Sequence, residues 1–173
     1  MPIVEFTEYP DYEAYRAFFY FVNMRRPMAW VNWIVVYGLG PVISLLMLLV
    51  ILHSGMVNAF TVGYPLLTAL LIVLQSTATR RGFKQHSSSF VSERTVFFED
   101  YYAHVTVSQD GNREGSFRYD RVNKAYETAT AFYLNYTDKG WGFFPKKFFA
   151  PGQVEALRDL FARKFGERFK TKL

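Results

Sequence analysis

The sequence predicts a two-helix transmembrane hairpin followed by a small α+β domain, and three observations carry that reading. Two apolar stretches, Trp30 to Leu52 and Met56 to Leu74, stand back to back with only His53-Ser54-Gly55 between them. After Lys84, short segments rich in β-branched and aromatic residues alternate with turn residues. The chain then closes on an amphipathic pattern running from Pro151 to Phe169.

The apolar stretches are about 23 and about 19 residues long, against roughly 20 needed to cross a hydrocarbon core. A buried hairpin of a soluble protein is the competing reading, and these lengths disfavour it. A cleaved signal fits poorly, because Glu5, Glu8, Asp11 and Glu13 precede the first stretch and a second follows at once. Arg25 and Arg26 lie before the pair and Arg80, Arg81 and Lys84 after it, while the connecting loop has no Lys or Arg. Short-loop positive charge marks the cytoplasmic side, so both termini are expected there. Gly38, Gly40 and Pro41 break the first stretch, where Pro41 removes a backbone donor and predicts a kink or a loosened turn. Pro65 holds a comparable place in the second. Gly38, Ser44, Ala59, Gly63 and Ala69 are small enough for close helix contact. Trp30, Trp33, Tyr37 and Tyr64 suit interfacial or packing roles. No Asp, Glu, Lys or Arg lies inside either stretch, which disfavours a pump or channel.

Ahead of the hairpin, Ile3 to Thr7 alternates like a short strand. Asp11 after Pro10 is a helix cap, and Glu13 suits the positive helix end. Tyr12, Tyr15, Phe19 and Val22 then recur at helical spacing, which predicts a helix lying at the membrane interface or packing on the following domain. The linker Gln85-His86-Ser87-Ser88-Ser89 introduces strands over 93–99, 103–108, 114–119, 122–128, 131–137 and 141–144. In the second of these, Ala103, Val105 and Val107 alternate with His104, Thr106 and Ser108, as in a strand with one wet face. Gln109-Asp110-Gly111-Asn112 and Asp138-Lys139-Gly140 read as turns. Pro151 suits a first helical turn, and Val154, Leu157, Phe161, Phe165 and Phe169 form one apolar stripe. Strands followed by one helix describe a bent antiparallel sheet closed at one end.

This layout resembles the YcxB-like family of bacterial membrane proteins. The residues that carry the resemblance run from Phe97-Phe98-Glu99-Asp100 through Phe117-Arg118-Tyr119-Asp120-Arg121-Val122. They continue in Ala131-Phe132-Tyr133-Leu134 and Phe144-Pro145-Lys146-Lys147-Phe148-Phe149. Where many such domains place a Trp, this chain offers Phe117 or Tyr119. The resemblance implies an N-terminal arm over 1–27, a membrane hairpin over 28–79 and, over 85–173, a domain akin to bacterial pleckstrin-homology (PH-like) folds. It implies no established reaction.

Cysteine is absent, which excludes disulfides, zinc–thiolate sites and thiol nucleophiles. His53, His86 and His104 do not share a metal-binding spacing, no nucleophile elbow surrounds Ser87 to Ser89, and no phosphate loop occurs. No catalytic, cofactor or metal residue is therefore expected. Trp141, Tyr133 and Phe143 read as sheet core or, less simply, as a ligand groove. The candidate contact residues are Arg80, Arg81, Lys84, Arg118, Arg121, Lys146 and Lys147, with Lys124 beside them. Converging, they would hold an anionic headgroup or the leaflet surface; scattered, they are solvated charge. Nucleic acid is not expected, since acidic residues are interspersed and no motif accompanies the +5 net charge. The leading expectation is a non-enzymatic membrane protein presenting a binding domain to a protein partner or to anionic lipid, with oligomerisation through the hairpin. An immunity or stress protein against a toxin or membrane-active peptide is the second, and a lipid-modifying enzyme ranks last.

Overall fold

The computed structural model describes residues 1–25, 31, 34–55, 57–138 and 140–171. Arg26, Trp30, Trp33, Met56 and Lys139, which entered the sequence reading, lie outside these residues, as does the side chain of His86. In chain order β1 (Val4–Glu8) leads into α1 (Tyr12–Met24), a π-helical stretch (Ile34–Leu39) runs into α2 (Gly40–Ser54), and α3 (Ala59–Ser87) follows. Then come β2 (Phe90–Phe97), β3 (Tyr101–Ser108), β4 (Gly111–Arg118), β5 (Val122–Glu127), β6 (Ala131–Tyr136), β7 (Trp141–Pro145), α4 (Gln153–Phe165) and β8 (Phe169–Lys170). These elements form two units, one of residues 1–14 with 86–173 and one of residues 15–85. The layout is α+β: two long apolar helices in one unit, and in the other a sheet-rich domain with a helix near its end.

In the sheet unit, strands β1-β2-β3-β4 form one antiparallel sheet, and β7-β6-β5-β8 form the other, with β8 parallel to β5. The N-terminal strand thus completes a sheet whose next strand begins at residue 90. Val4 pairs with Phe97 and Phe6 with Thr95, which puts Val4 and Phe6 in the core. Facing them from the second sheet are Ala125, Phe132, Leu134, Tyr136 and Phe144, and α4 adds Leu157, Leu160, Phe161 and Phe165. Phe97 is fully buried and lies 5.0 Å from the ring of Phe144 and 5.9 Å from that of Phe161. Burying a side chain of this size contributes about 1.5–3 kcal/mol, so the inter-sheet aromatics are the main source of stability here.

Three details depart from the sequence reading. On β3, the polar set shares its face with the core residue Tyr102, because the Phe97–Tyr102 pairing turns even-numbered positions inward. His104 is stacked on Phe117 at 5.5 Å, not on a wet face. Helix α4 begins at Gln153, past Pro151, after Gly152 at φ 83°. It stops at Phe165, because Gly166 (φ 50°) takes the chain out of the helix, so Phe169 belongs to β8 and not to the helical stripe.

In the helical unit, the stretches Ile34–Ser54 and Ala59–Gln85 are long and apolar enough to cross a bilayer. Pro41 stands in the first turn of α2, and the turns before it are π-helical, so the loosening expected at this proline takes that form. Gly55, left-handed at φ 66°, ends α2 by donating its N–H to Ile51 O at 2.9 Å. His53 therefore belongs to the helix and not to the loop. Asn58 caps α3, its Oδ1 accepting from the N–H groups of Phe60 and Thr61 at 2.9 Å. The helix continues through the expected linker to Ser87, since Thr, Arg, Lys and Gln tolerate a helix and no proline interrupts them. Burial in α3 is inverted: Thr61, Thr68 and Thr79 are buried, while Leu66 is 65% exposed and Leu52 of α2 82% exposed. A Cβ on Gly40 would lie 3.0 Å from Thr68 Cγ2, which marks the close approach of the two helices. Gly38 and Gly63 have open space instead. Tyr15 of α1 packs on Phe83 of α3 with rings 5.6 Å apart.

Candidate functional site

A cavity of about 360 Å³ opens where the β2–β3 turn, the β4–β5 connection and the end of α4 meet. Its lining includes Asp100, Arg118, Asp120, Lys164 and Arg168, backed by Tyr101 and Tyr119. The turn is tight: Phe98 N–H donates to Tyr101 O at 2.9 Å, leaving Glu99 and Asp100 at its tip. Tyr119 braces it, donating its backbone N–H to Asp100 O at 3.1 Å and its hydroxyl to Phe98 O at 3.1 Å. Burial holds the Tyr119 hydroxyl well above the ordinary tyrosine range, so it is a neutral donor.

The cations come from two elements. Helix α4 carries Arg163 and Lys164 in its last turn, where positive charge is favoured by the helix dipole. Lys164 Nζ lies 2.9 Å from Asp100 Oδ1 and 3.2 Å from Glu99 Oε1, and these carboxylates raise its pKa. Arg118 Nε sits 3.2 Å from Asp120 Oδ2. Arg168 donates to Val122 O at 2.8 Å. The cavity is thus lined by both signs of charge, mostly paired and mostly exposed. Such exposed pairs are weakly held and can be exchanged for a ligand's own charges at small cost. This arrangement suits reversible binding of a polar group. The described residues present no nucleophile–base pair in it.

The predicted basic residues are dispersed among several environments. Arg118 lines the cavity, and Arg121 is exposed at the end of the short 3-10 turn Tyr119–Arg121. Lys146 is committed elsewhere: its Nζ lies 2.7 Å from Glu127 Oε1 and donates to Thr128 O at 2.6 Å. Lys147 Nζ pairs with Asp11 Oδ1 at 2.6 Å, beside the β1 edge of the first sheet and opposite the β4 edge that ends in Arg118. Arg80, Arg81 and Lys84 are exposed on the last turns of α3, in the helical unit. Lys124, on β5, is exposed. Within the sheet unit these residues do not gather into one basic surface. Lys164, Arg168, Asp100 and Asp120 were missed as a site because they come from three separate stretches, with no spacing that links the acidic residues to the basic ones. Tyr133 and Phe143 lie on the face of the second sheet opposite Phe132 and Leu134, rings 5.3 Å apart and Tyr133 buried, with Trp141 stacked on Tyr126 at 6.0 Å.

The model of the YcxB-like protein family matches residues 97–161, from the end of β2 into α4. The match takes in Arg118, Arg121, Lys146 and Lys147 and stops short of Lys164 and Arg168. No curated protein and no solved structure gives a significant match.

Proposed function

We propose, with the YcxB-like match over residues 97–161 as premise, that the protein is a non-enzymatic inner-membrane binding protein. Helices α2 and α3 cross the bilayer, and the sheet unit is a PH-like domain held at the cytoplasmic face with both chain ends. The observation that carries this is the inverted burial of the helical unit: Thr61, Thr68 and Thr79 face inward while Leu45, Leu52, Leu66 and Leu70 face out. Contiguous apolar surface of this kind is rare on a soluble monomer, and lipid is the solvent that suits it. Inward small and hydroxyl residues are also how helices pack in lipid. The cytoplasmic placement is supported by Arg25, Arg80, Arg81 and Lys84 flanking a pair whose connecting loop lacks Lys and Arg. A first sheet, a second sheet and a closing helix are the parts of a PH-like domain, and they support that reading of residues 85–173 joined by β1.

The binding surface of the sheet unit is the mixed-charge cavity, and its partner is a protein segment carrying both signs of charge. Arg80, Arg81 and Lys84 serve anionic headgroups instead, each worth about 1 kcal/mol near a charged leaflet. Native mass spectrometry of the full chain released in mild detergent tests this. A bound protein that is lost on Arg118→Glu/Lys164→Glu supports the cavity. Bound anionic lipid that is lost on Arg80→Ala/Arg81→Ala/Lys84→Ala, with no protein bound, shifts the function to lipid. A protein bound equally by both variants refutes the cavity, and nothing bound in any sample refutes the binding reading. Protection of cells from a toxin or membrane-active peptide is the alternative that a partner of that kind would establish.

A further inference from the structure

We propose that Glu8 and Glu93, with the hydroxyls of Thr95 and Thr106, form a site for a hard divalent cation that clips β1 to β2. The inference does not rest on the proposed function. Glu8 and Glu93 are directly opposed at the end of the antiparallel β1–β2 pairing. Like charges in that position are destabilising unless something neutralises them. Thr95 lies two residues along β2 on the same face, and Thr106 of β3 pairs with Glu93.

Two orphaned atoms lie on this face. Glu8 Oε2 and Thr95 Oγ1 are buried with no hydrogen-bond partner among the described residues, and Thr95 is only 1% exposed. Leaving a buried polar group unpaired is costly, so two on one face point to an occupant. Thr106 Oγ1 donates to Glu93 Oε2 at 2.7 Å, which fixes that carboxyl in place.

The charges around the pair favour a cation. Among the described residues, the other charged or titratable groups on this face include Tyr102, which feels the Glu93 charge, His104, stacked on Phe117, and Arg113, exposed on β4 opposite Thr106. Arg94 pairs with Glu5 at 2.6 Å on the opposite face. Two carboxylates and two hydroxyls make an all-oxygen donor set, which suits Ca²⁺ or Mg²⁺ better than Zn²⁺. Bridging there, the ion would tie the end of the N-terminal strand to the strand that follows α3.

The test uses the full chain in detergent micelles, stripped with EDTA and titrated with CaCl2 or MgCl2 against KCl of equal ionic strength. The thermal midpoint should rise and saturate with a dissociation constant of about 10⁻⁴–10⁻³ M, the range of open carboxylate sites. In Glu93→Gln and Glu8→Gln the response should weaken at least tenfold, and in Thr95→Val it should shrink. Both Gln variants remove a like-charge contact, so in EDTA they should melt no lower than the parent and stay readable. Mn²⁺ bound to the native chain, counted by electron paramagnetic resonance, gives a second reading that needs no unfolding. No response of the parent to either ion, as for water or a proton alone, overturns the site, and so does an equal response in parent and variants.

Discussion

At Glu127 one buried carboxylate meets two cations, Lys146 largely buried and Arg158 partly exposed. The Glu127 side chain is 7% exposed, Lys146 Nζ approaches Oε1 at 2.7 Å, and Arg158 donates to both oxygens, the nearest contact also 2.7 Å. Burial by itself would raise the Glu127 pKa, but the hydrogen bonds from Arg158 and Lys146 outweigh it and hold the carboxyl below its usual range. A depressed carboxyl gives stability that is complete above the unfolded value near 4.5 and is lost as pH falls through the folded value. Glu127→Gln should therefore cost about 3 kcal/mol at neutral pH, the loss typical of a broken buried pair. It should also flatten the acid limb of stability, both read by urea unfolding of the full chain. Lys147→Ala should cost under about 1 kcal/mol, because the Lys147 side chain is 46% exposed. The sequence shows Lys146 and Lys147 as a basic pair after a strand. It cannot show that one neutralises a carboxylate on β5 and the other a cap residue of α1, since both partners arrive through tertiary contact.

Strand β1 is the element on which the sheet unit most depends relative to its length. Val4 and Phe6 bury their side chains, Ile3 N–H donates to Phe97 O at 2.8 Å, and Gln153 of α4 donates to Glu5 O at 2.9 Å. A fragment of residues 88–173 would leave β2 as a bare edge with Phe97 uncovered, which invites aggregation. We expect that fragment to elute as aggregate or to give a collapsed amide spectrum. Joining residues 1–9 to it through a flexible linker should restore dispersed resonances and a monomer. Alternation over Ile3 to Thr7 betrays the strand, whereas its partner more than eighty residues away leaves no local trace. The β hairpins were legible for the converse reason: Asp110-Gly111 and the residues around Asp138 form turns that short-range chemistry dictates. Element ends were less so. Helix α3 outran its apolar segment, and α4 stopped at Gly166 although the stripe of apolar spacing continues to Phe169.

Across the whole molecule, the two units solve the hydrophobic problem in opposite ways. The sheet unit gathers Phe97, Phe132, Phe144 and Phe161 inward, whereas the helical unit turns its leucines out and its threonines in. That division was legible in composition alone, because an uncharged apolar pair followed by charged, alternating segments leaves few arrangements open. The cavity was not legible, being assembled from residues spread from Asp100 to Arg168. The central claim, that α2 and α3 cross the membrane with the sheet unit inside, is tested most directly by site-specific labelling. The native chain has no cysteine, so single substitutions report without background. Ser54→Cys, exposed at the end of α2, and Ala129→Cys, exposed in the β5–β6 turn, are treated with a membrane-impermeant maleimide on spheroplasts. The account predicts that Ser54→Cys labels on intact spheroplasts and Ala129→Cys only after lysis. Labelling of Ala129→Cys on intact spheroplasts, or of Ser54→Cys only after lysis, would contradict it.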